Sequence, residues 1–161
     1  MTAPKRVECS TQAELDAAVA DGNTAVVRAG SFEAYGKARV WASGEATVTA
    51  YGEAYVTAYD EARVSACDEA YVTACGEARV TAYGKAYVSA CDEAYVTAYG
   101  EARVTASGQA YVTACGEARV TAYGKATVWA FDEAYVSACD EARVTASGNA
   151  KVDDPRDEVT A

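Results

Sequence analysis

Between Gly30 and Lys151 the chain repeats one eight-residue unit, Ala-x-Val-x-Ala-x-(Gly/Asp)-(Glu/Lys), some fifteen times. A strict short period of this kind predicts a solenoid, because a single unit can bury its apolar side chains only by stacking on its neighbours. The first five residues of a unit alternate, so that Val56 points to one side while Tyr55 and Thr57 point to the other. The Gly or Asp at the seventh position favours a turn. Each unit is therefore predicted to form one strand and one tight corner.

Two units are the smallest number that can close a coil, and they predict a flattened coil of 16 residues. The expected fold class is all-β, a two-sided parallel β-solenoid whose facing sheets enclose Ala and Val. Similar side chains at the second position then stack on one another at about 4.8 Å. One face reads Arg39, Tyr55, Tyr71, Tyr87, Arg103, Arg119, Tyr135 and Lys151, and the other reads Thr47, Arg63, Arg79, Tyr95, Tyr111, Thr127 and Arg143. A coil of three units is the alternative.

The segments that flank the array divide the chain into three parts. Residues 1–23 are expected to form a leader and a short helix over 11–20, because Thr11 and Glu14 make a capping box ahead of an apolar run. This helix would cover the first open coil, where core and strand edges are otherwise exposed. Residues 24–153 are expected to form the solenoid. Pro155 and the acids before it stop strand pairing, so residues 154–161 are predicted to be a flexible tail.

The composition argues against several classes of function. A net charge of −10 makes a nucleic-acid groove or an anionic membrane an unsuitable partner. No signal peptide or membrane-spanning run is recognised, so a cytoplasmic protein is expected. The chain has no His, which removes the commonest general base and zinc ligand. No catalytic residue, metal or cofactor is therefore assigned, and the protein is predicted not to be an enzyme.

The six cysteines are Cys9, Cys67, Cys75, Cys91, Cys115 and Cys139. Those inside the array are separated by multiples of the repeat, so they fill one corner position and do not form a metal-binding motif. Free, buried thiols are expected. Only Cys75 and Cys91 would lie one coil apart in the same corner, close enough for a disulfide.

Thr or Ser occupies the fourth position of nearly every unit and is expected to form outward ranks of hydroxyl groups. Runs such as Thr49-Ala-Tyr-Gly-Glu53 and Thr121-Ala-Tyr-Gly-Lys125 resemble the octapeptide array of bacterial ice-nucleation proteins. The resemblance covers residues 30–150 in period and composition, and it implies a β-solenoid whose threonines face ordered water or ice. The residues of that implied surface are Thr47, Thr49, Thr57, Thr73, Thr81, Thr97, Thr105, Thr113 and Thr121.

The tyrosines and arginines of the second position predict a different function. Stacked rings and Arg–Tyr contacts stabilise a ladder within the chain, and the same residues are typical anchors of protein interfaces. The predicted interaction residues are Tyr55, Tyr71, Tyr87, Arg103 and Arg119 on one face and Arg63, Arg79, Tyr95 and Tyr111 on the other. The leading hypothesis is a structural module that associates with itself, as a homo-oligomer, or with an unknown protein partner. Ice binding is the second hypothesis.

Acidic residues at the corners support a third hypothesis. Glu stands at the eighth position of most units, and Asp-Glu pairs recur at Asp60, Asp68, Asp92, Asp132 and Asp140. A solvated edge is the simplest interpretation, although stacked carboxylates could also hold a cation such as Ca²⁺. A rod of this acidity could instead mimic DNA for a nucleic-acid-binding protein, which is an analogy at the level of the fold.

Overall fold

The computed structural model describes residues 4–155, which form eighteen β-strands and one α-helix. In chain order the elements are β1 Arg6–Glu8, α1 Gln12–Ala20, β2 Thr24–Val27, β3 Ser31–Ala34, β4 Arg39–Ala42, β5 Thr47–Ala50, β6 Tyr55–Ala58, β7 Arg63–Ala66, β8 Tyr71–Ala74, β9 Arg79–Ala82, β10 Tyr87–Ala90, β11 Tyr95–Ala98, β12 Arg103–Ala106, β13 Tyr111–Ala114, β14 Arg119–Ala122, β15 Thr127–Ala130, β16 Tyr135–Ala138, β17 Arg143–Ala146 and β18 Lys151–Asp153. The helix in this part of the chain lacks the length and hydrophobicity needed to cross a membrane. Most of the predicted tail, from residue 156 onward, lies outside the described residues.

The strands divide between two parallel sheets. Sheet A contains β1 and the even-numbered strands, and sheet B contains the odd-numbered strands from β3 to β17. From β3 to β16 each strand pairs with the strand 16 residues further along, as in Tyr55 with Tyr71 and Tyr95 with Tyr111. This register confirms the coil of two units and excludes the coil of three. The predicted fold, a two-sided parallel β-solenoid, is therefore confirmed.

The core consists almost entirely of Ala and Val. In a typical unit Ala54, Val56 and Ala58 are 0%, 2% and 0% exposed, while Tyr55 and Thr57 face outward. The β-branched Val favours the extended backbone and packs well on a pleated surface. No polar or charged residue among residues 4–155 is buried. The sequence alternation thus separates an apolar interior from two polar faces.

The corners explain why Gly and Asp share the seventh position. All five Asp residues there have φ between 57° and 59°, in the left-handed region that Gly occupies most easily. In four of the five, Asp60, Asp68, Asp132 and Asp140, the carboxylate accepts a hydrogen bond from the backbone N–H of the Gly one coil earlier, at 3.0 to 3.3 Å. This bond offsets the cost of a non-Gly residue in that conformation. The corner aspartates therefore stabilise the coil, a role that the sequence analysis did not assign to them.

Helix α1 closes the N-terminal end of the solenoid. The side chain of Thr11 accepts from the backbone N–H of Glu14, whose carboxylate accepts from the backbone N–H of Thr11, so the predicted capping box is confirmed. Leu15 and Ala18 are buried in the core next to β2 and β3. The helix therefore takes the place in the first coil that a strand of sheet B takes in later coils.

Two further contacts bind the N-terminal segment to the array. The side-chain Nε2 of Gln12 donates to the backbone oxygen of Glu33 at 2.8 Å, and its Oε1 accepts from the backbone N–H of Glu33 at 2.9 Å. Gln12 thus satisfies the outer edge of β3 as a neighbouring strand would. The segment Arg6–Glu8, expected to be part of a leader, forms β1 and pairs with β2. Sequence reasoning missed this strand because it lies outside the repeat.

The C-terminal end has no corresponding cover among the described residues. β17 and β18 are the last strands of their sheets, and each is paired on one side. Val152 in β18 is 42% exposed and Val144 in β17 is half-buried, whereas the Val residues of β4 to β16 are at most 3% exposed. The two ends of the solenoid are therefore built differently.

Candidate interaction site

The tyrosines predicted to stack on sheet A form a continuous ladder. The ring centroids of Tyr55 and Tyr71 lie 4.9 Å apart, and those of Tyr71 and Tyr87 lie 5.0 Å apart, with interplanar angles of 8° and 7°. Arg103 extends the stack, because its Cζ lies 5.3 Å from the Tyr87 ring centroid and its Nη1 donates to the Tyr87 hydroxyl at 3.2 Å. Arg119 pairs with Arg103 in the next strand. We refer to these five residues as the sheet-A ladder.

The sheet-A ladder presents ring edges and hydroxyl groups to solvent. Neighbouring rings are nearly parallel and cover one another's faces, so a sugar or planar ligand cannot stack between them without separating the rings. Tyr55 and Tyr71 are nevertheless 46% and 38% exposed. Desolvation, together with the neighbouring phenols, raises the pKa of Tyr71. The ladder is thus a pre-ordered amphipathic ridge suited to contact with a protein surface.

A shallow hollow of about 270 Å³ runs beside the tyrosines of this ladder. Its wall is formed by the rings, and hydroxyl groups of the fourth position, from Thr57, Thr73 and Ser89, line it as well. Aromatic groups next to hydrogen-bonding groups are characteristic of protein interfaces. The hollow therefore widens the surface that a partner could contact.

A second ladder lies on sheet B, on the opposite outer face of the solenoid. Arg63, Arg79, Tyr95 and Tyr111 follow one another in register. The rings of Tyr95 and Tyr111 are stacked at 5.0 Å, and Cζ of Arg79 lies 5.8 Å from the Tyr95 centroid. Trp129 adds a ring 6.3 Å from that of Tyr111. The sequence analysis missed Trp129 because it stands at the fourth position, and a contact between different columns depends on side-chain length and rotamer.

Two stacked tyrosine pairs at the corners were also missed. The ring centroids of Tyr35 and Tyr51 are 5.1 Å apart, and those of Tyr83 and Tyr99 are 5.4 Å apart. Both pairs occupy the sixth position in consecutive coils, so the 16-residue period itself could have revealed them. A hydrogen bond from the Tyr35 hydroxyl to the Glu33 carboxylate raises the pKa of Tyr35 to about 12.

An aromatic cluster near the N-terminal end anchors β1. The guanidinium of Arg6 lies 3.6 Å from the Trp41 ring centroid, and Tyr59 contacts the same ring at 5.6 Å. A hollow of about 500 Å³ next to this cluster is bounded by an ion pair between Arg28 and Glu8, with a distance of 2.9 Å, that lowers the pKa of Glu8. Because Arg6 already covers the indole, we assign this cluster to the attachment of β1.

The predicted water-facing threonines divide between the two faces. Sheet A carries Thr57, Thr73, Thr105 and Thr121, and sheet B carries Thr47, Thr49, Thr81, Thr97 and Thr113. The longest run of threonines in register along the described strands comprises Thr81, Thr97 and Thr113. Each of these follows an Arg or Tyr of the second position by two residues, so a larger side chain stands beside every hydroxyl group. Water ordering on these ranks stays a prediction.

The charges of the solenoid are mixed along its length. A hollow of about 790 Å³ on sheet A is bounded by Glu101, Glu117 and Glu133 from the corners and by Arg103 and Arg119 from the face. Acidic and basic columns therefore run side by side. A DNA mimic needs a continuous acidic surface, so this stretch does not support that hypothesis.

Cys75 and Cys91 form a disulfide between adjacent coils, with their Cα atoms 4.9 Å apart. This corrects the expectation of free thiols for this pair and confirms that the repeat brings the two residues together. Asp92 lies close by, and the three side chains could offer metal ligands within 4.8 Å of one another. The disulfide removes both thiolates from this set, which leaves the Asp92 carboxylate.

The remaining cysteines are free thiols. Cys9 is buried, whereas Cys67, Cys115 and Cys139 are half-buried, less than expected. Desolvation raises the pKa of the Cys9, Cys67 and Cys115 thiols. A raised pKa disfavours the nucleophilic thiolate, so these three groups are poor candidates for catalysis.

No protein-family model matches this chain, and no curated protein or solved structure is significantly similar to it. Of what the resemblance to bacterial ice-nucleation proteins implies, the structure shows the repeat-based solenoid and its 16-residue period. Any statement about function therefore has to rest on the surfaces of this chain.

Proposed function

We propose that this protein is a non-enzymatic structural and interaction module that associates through the sheet-A ladder, with a second copy of itself or with another protein. The observation that carries the proposal is the exposed three-ring stack of Tyr55, Tyr71 and Tyr87 continued by Arg103. Tyr and Arg supply most of the strong anchors in protein interfaces. Among residues 4–155 this stack is the longest run of stacked tyrosines in one column.

Pre-ordering is what makes this ladder favourable for association. Long side chains on a surface normally lose conformational freedom when a partner binds, and that loss weakens binding. Here each ring is already held by stacking contacts worth about 0.5–1.5 kcal/mol apiece. The neighbouring hydroxyl groups of Thr57 and Thr73 add hydrogen-bonding capacity beside the rings. A partner would therefore meet a rigid ridge of about 19 Å, the rise of five stacked strands.

The ladder on sheet B is the weaker candidate. It contains two tyrosines, Tyr95 and Tyr111, and ends at the bulky Trp129. Arg63 and Arg79 extend it in the other direction, as Arg103 and Arg119 extend the sheet-A ladder, so the shorter tyrosine stack is what makes it weaker. Because the two ladders face opposite ways, a single partner surface can engage one of them at a time.

The test compares two double variants of equal composition. In Tyr71→Ser with Tyr87→Ser the ladder loses its central rings, and we expect self-association measured by sedimentation velocity to weaken by roughly tenfold or more. Tyr83→Ser with Tyr99→Ser is the matched control, because it removes a stacked, exposed pair at the corner. If another protein is found to bind the chain, its affinity for the same two double variants is measured and compared. Equal association of both variants would contradict the proposal.

A further inference from the structure

The last coil leaves apolar side chains and strand edges uncovered within residues 4–155. Val152 is 42% exposed. Val144 is half-buried and Ala146 is exposed, whereas the Val and Ala at the same positions of earlier coils are buried. β17 and β18 each lack a strand on their outer side in this part of the chain. Open edges of this kind pair readily with another strand.

We propose that this end docks on the same end of a second copy, in a two-fold symmetric contact in which the terminal strands of the two chains pair antiparallel. A two-fold contact uses the same patch on both copies, so the patch must complement itself. The surface at this end is separate from the sheet-A ladder. A two-fold contact occupies the patch of both copies, so this contact alone produces a dimer and not a longer assembly.

The charges of the terminal strands are self-complementary when paired antiparallel. The second position is basic in both strands, Lys151 in β18 and Arg143 in β17, and the fourth position of β18 is Asp153. Antiparallel pairing centred on the Val positions sets second position against fourth. Asp153 therefore faces the partner's Lys151 if β18 meets β18, and the partner's Arg143 if β18 meets β17. Opposite charges on facing strands stabilise the pair.

The alternative of head-to-tail stacking is disfavoured by the same residues. β1 aligns through β2 with the repeat, so that Arg6 stands at the second position and Glu8 at the fourth. A second chain continuing the solenoid in parallel would set Lys151 against Arg6 and Asp153 against Glu8. Like charges directly opposite each other destabilise strand pairing. Within one chain Arg103 and Arg119 share such a register, because the covalent repeat holds their strands together. Between separate chains the like pairs favour a closed dimer over an open filament.

The N-terminal end offers no equivalent site. The charged groups of β1 are engaged within the chain, Arg6 on the Trp41 ring and Glu8 with Arg28. The neighbouring edge of β3 is occupied by the Gln12 side chain. Pairing at this end would have to break those contacts. At the C-terminal end Asp153 accepts a hydrogen bond from the Tyr135 hydroxyl at one carboxylate oxygen, Oδ2, which leaves Oδ1 for the cation of a partner strand.

The experiment is sedimentation equilibrium of the full chain from about 1 to 100 μM, a range that covers moderate affinities. We expect a monomer–dimer equilibrium that weakens as salt is added, because part of the contact is electrostatic. Asp153→Lys sets like charges opposite each other twice per dimer, so its dissociation constant should rise by roughly tenfold or more. Glu117→Lys makes the same charge change in the middle of the solenoid and should leave the dissociation constant unchanged.

A second variant tests the apolar part of the contact. Val152→Lys places a charge at the centre of the proposed pairing and should also yield monomers, with circular dichroism verifying that the solenoid is folded. In the variant with Tyr71→Ser and Tyr87→Ser, which lacks association through the sheet-A ladder, a salt-dependent dimer should remain. Adding Asp153→Lys to that variant should still weaken this dimer by roughly tenfold or more, which separates the end contact from the ladder.

Three results would overturn the proposal. One is a parent protein that stays monomeric throughout the range, and another is open-ended assembly into filaments that persists when Tyr71→Ser and Tyr87→Ser have removed the ladder contact. The third is equal dimerisation of Asp153→Lys and Glu117→Lys. If the parent is monomeric but a chain shortened to end at Pro155 dimerises, residues 156–161 cover the edge and a second copy is not its occupant.

Discussion

The two ends of this solenoid solve the same physical problem in different ways. At the N-terminal end α1 buries Leu15, and Gln12 satisfies the backbone of Glu33 at the edge of β3. At the C-terminal end Val152 is 42% exposed in a strand of three residues flanked by charge. Each strand inside the repeat pairs with a strand on each side, whereas the first and last strands have an unpaired edge. Residues from outside the repeat are needed to cover these edges. Within residues 4–155 the protein supplies such residues in full at the N-terminal end.

The largest expected effect comes from the apolar contact of the cap. Leu15→Ala should lower the free energy of unfolding by about 3 kcal/mol, because it empties a fully buried position between α1 and the first coils. Val152→Ala, the matched change at the exposed end, should cost less than about 0.5 kcal/mol. Urea unfolding followed by circular dichroism measures both. Similar losses for the two variants would mean that the ends are equally covered.

A smaller effect is expected from the hydrogen bonds of Gln12. Gln12→Ala leaves the N–H and C=O of Glu33 to water and should lower local stability by about 1 kcal/mol, which corresponds to roughly fivefold faster exchange of the Glu33 amide hydrogen. Gln109→Ala, at an exposed corner, serves as the control and should not change that rate. Unchanged exchange in Gln12→Ala would show that α1 does not protect the edge of β3.

The smallest expected effect is the change in stability with pH that arises from one tyrosine near each end, Tyr35 and Tyr135. Tyr35 donates to Glu33 and has its pKa raised to about 12, and Tyr135 donates to Asp153, which also raises its pKa. A raised folded-state pKa means that folding favours the protonated phenol. The stabilisation is therefore complete below the ordinary pKa near 10 and is lost as the pH rises through about 12 for Tyr35.

Ultraviolet titration of tyrosinate measures whether the pKa values of Tyr35 and Tyr135 are raised. Tyr35→Phe should remove a component with a midpoint near 12, and Tyr135→Phe should remove one above the ordinary tyrosine value. A Tyr35 component that titrates at the ordinary value would argue against its hydrogen bond with Glu33. Asp153→Asn should return the Tyr135 component toward that ordinary value, because the charged acceptor is gone.

Much of the array could be predicted from the repeat alone. The 16-residue coil, the pairing of Tyr71 with Tyr87 and the proximity of Cys75 and Cys91 all follow from counting positions, because identical units stack in one register. The corner role of Asp132 needed the structure, since the same Asp-Glu pair is equally consistent with a solvated acidic edge. The contacts of Trp129 with Tyr111 and of Arg6 with Trp41 needed it too, because a contact between different columns depends on side-chain length and rotamer, which the period does not give.

The sequence by itself determined what repeats, namely two sheets, an Ala and Val core and the columns of Tyr and Arg on each face. It also determined the capping box of α1, which is a local motif. The tertiary structure alone decided what happens where the repeat stops or where two columns meet. It showed that β1 joins sheet A and that the Gln12 side chain takes the place of a strand neighbouring β3. It also showed that Val152 is exposed at the far end. The physical reason is that stacking within a repeat is dictated by local alternation and period, whereas the ends depend on single long-range contacts between side chains that no period relates.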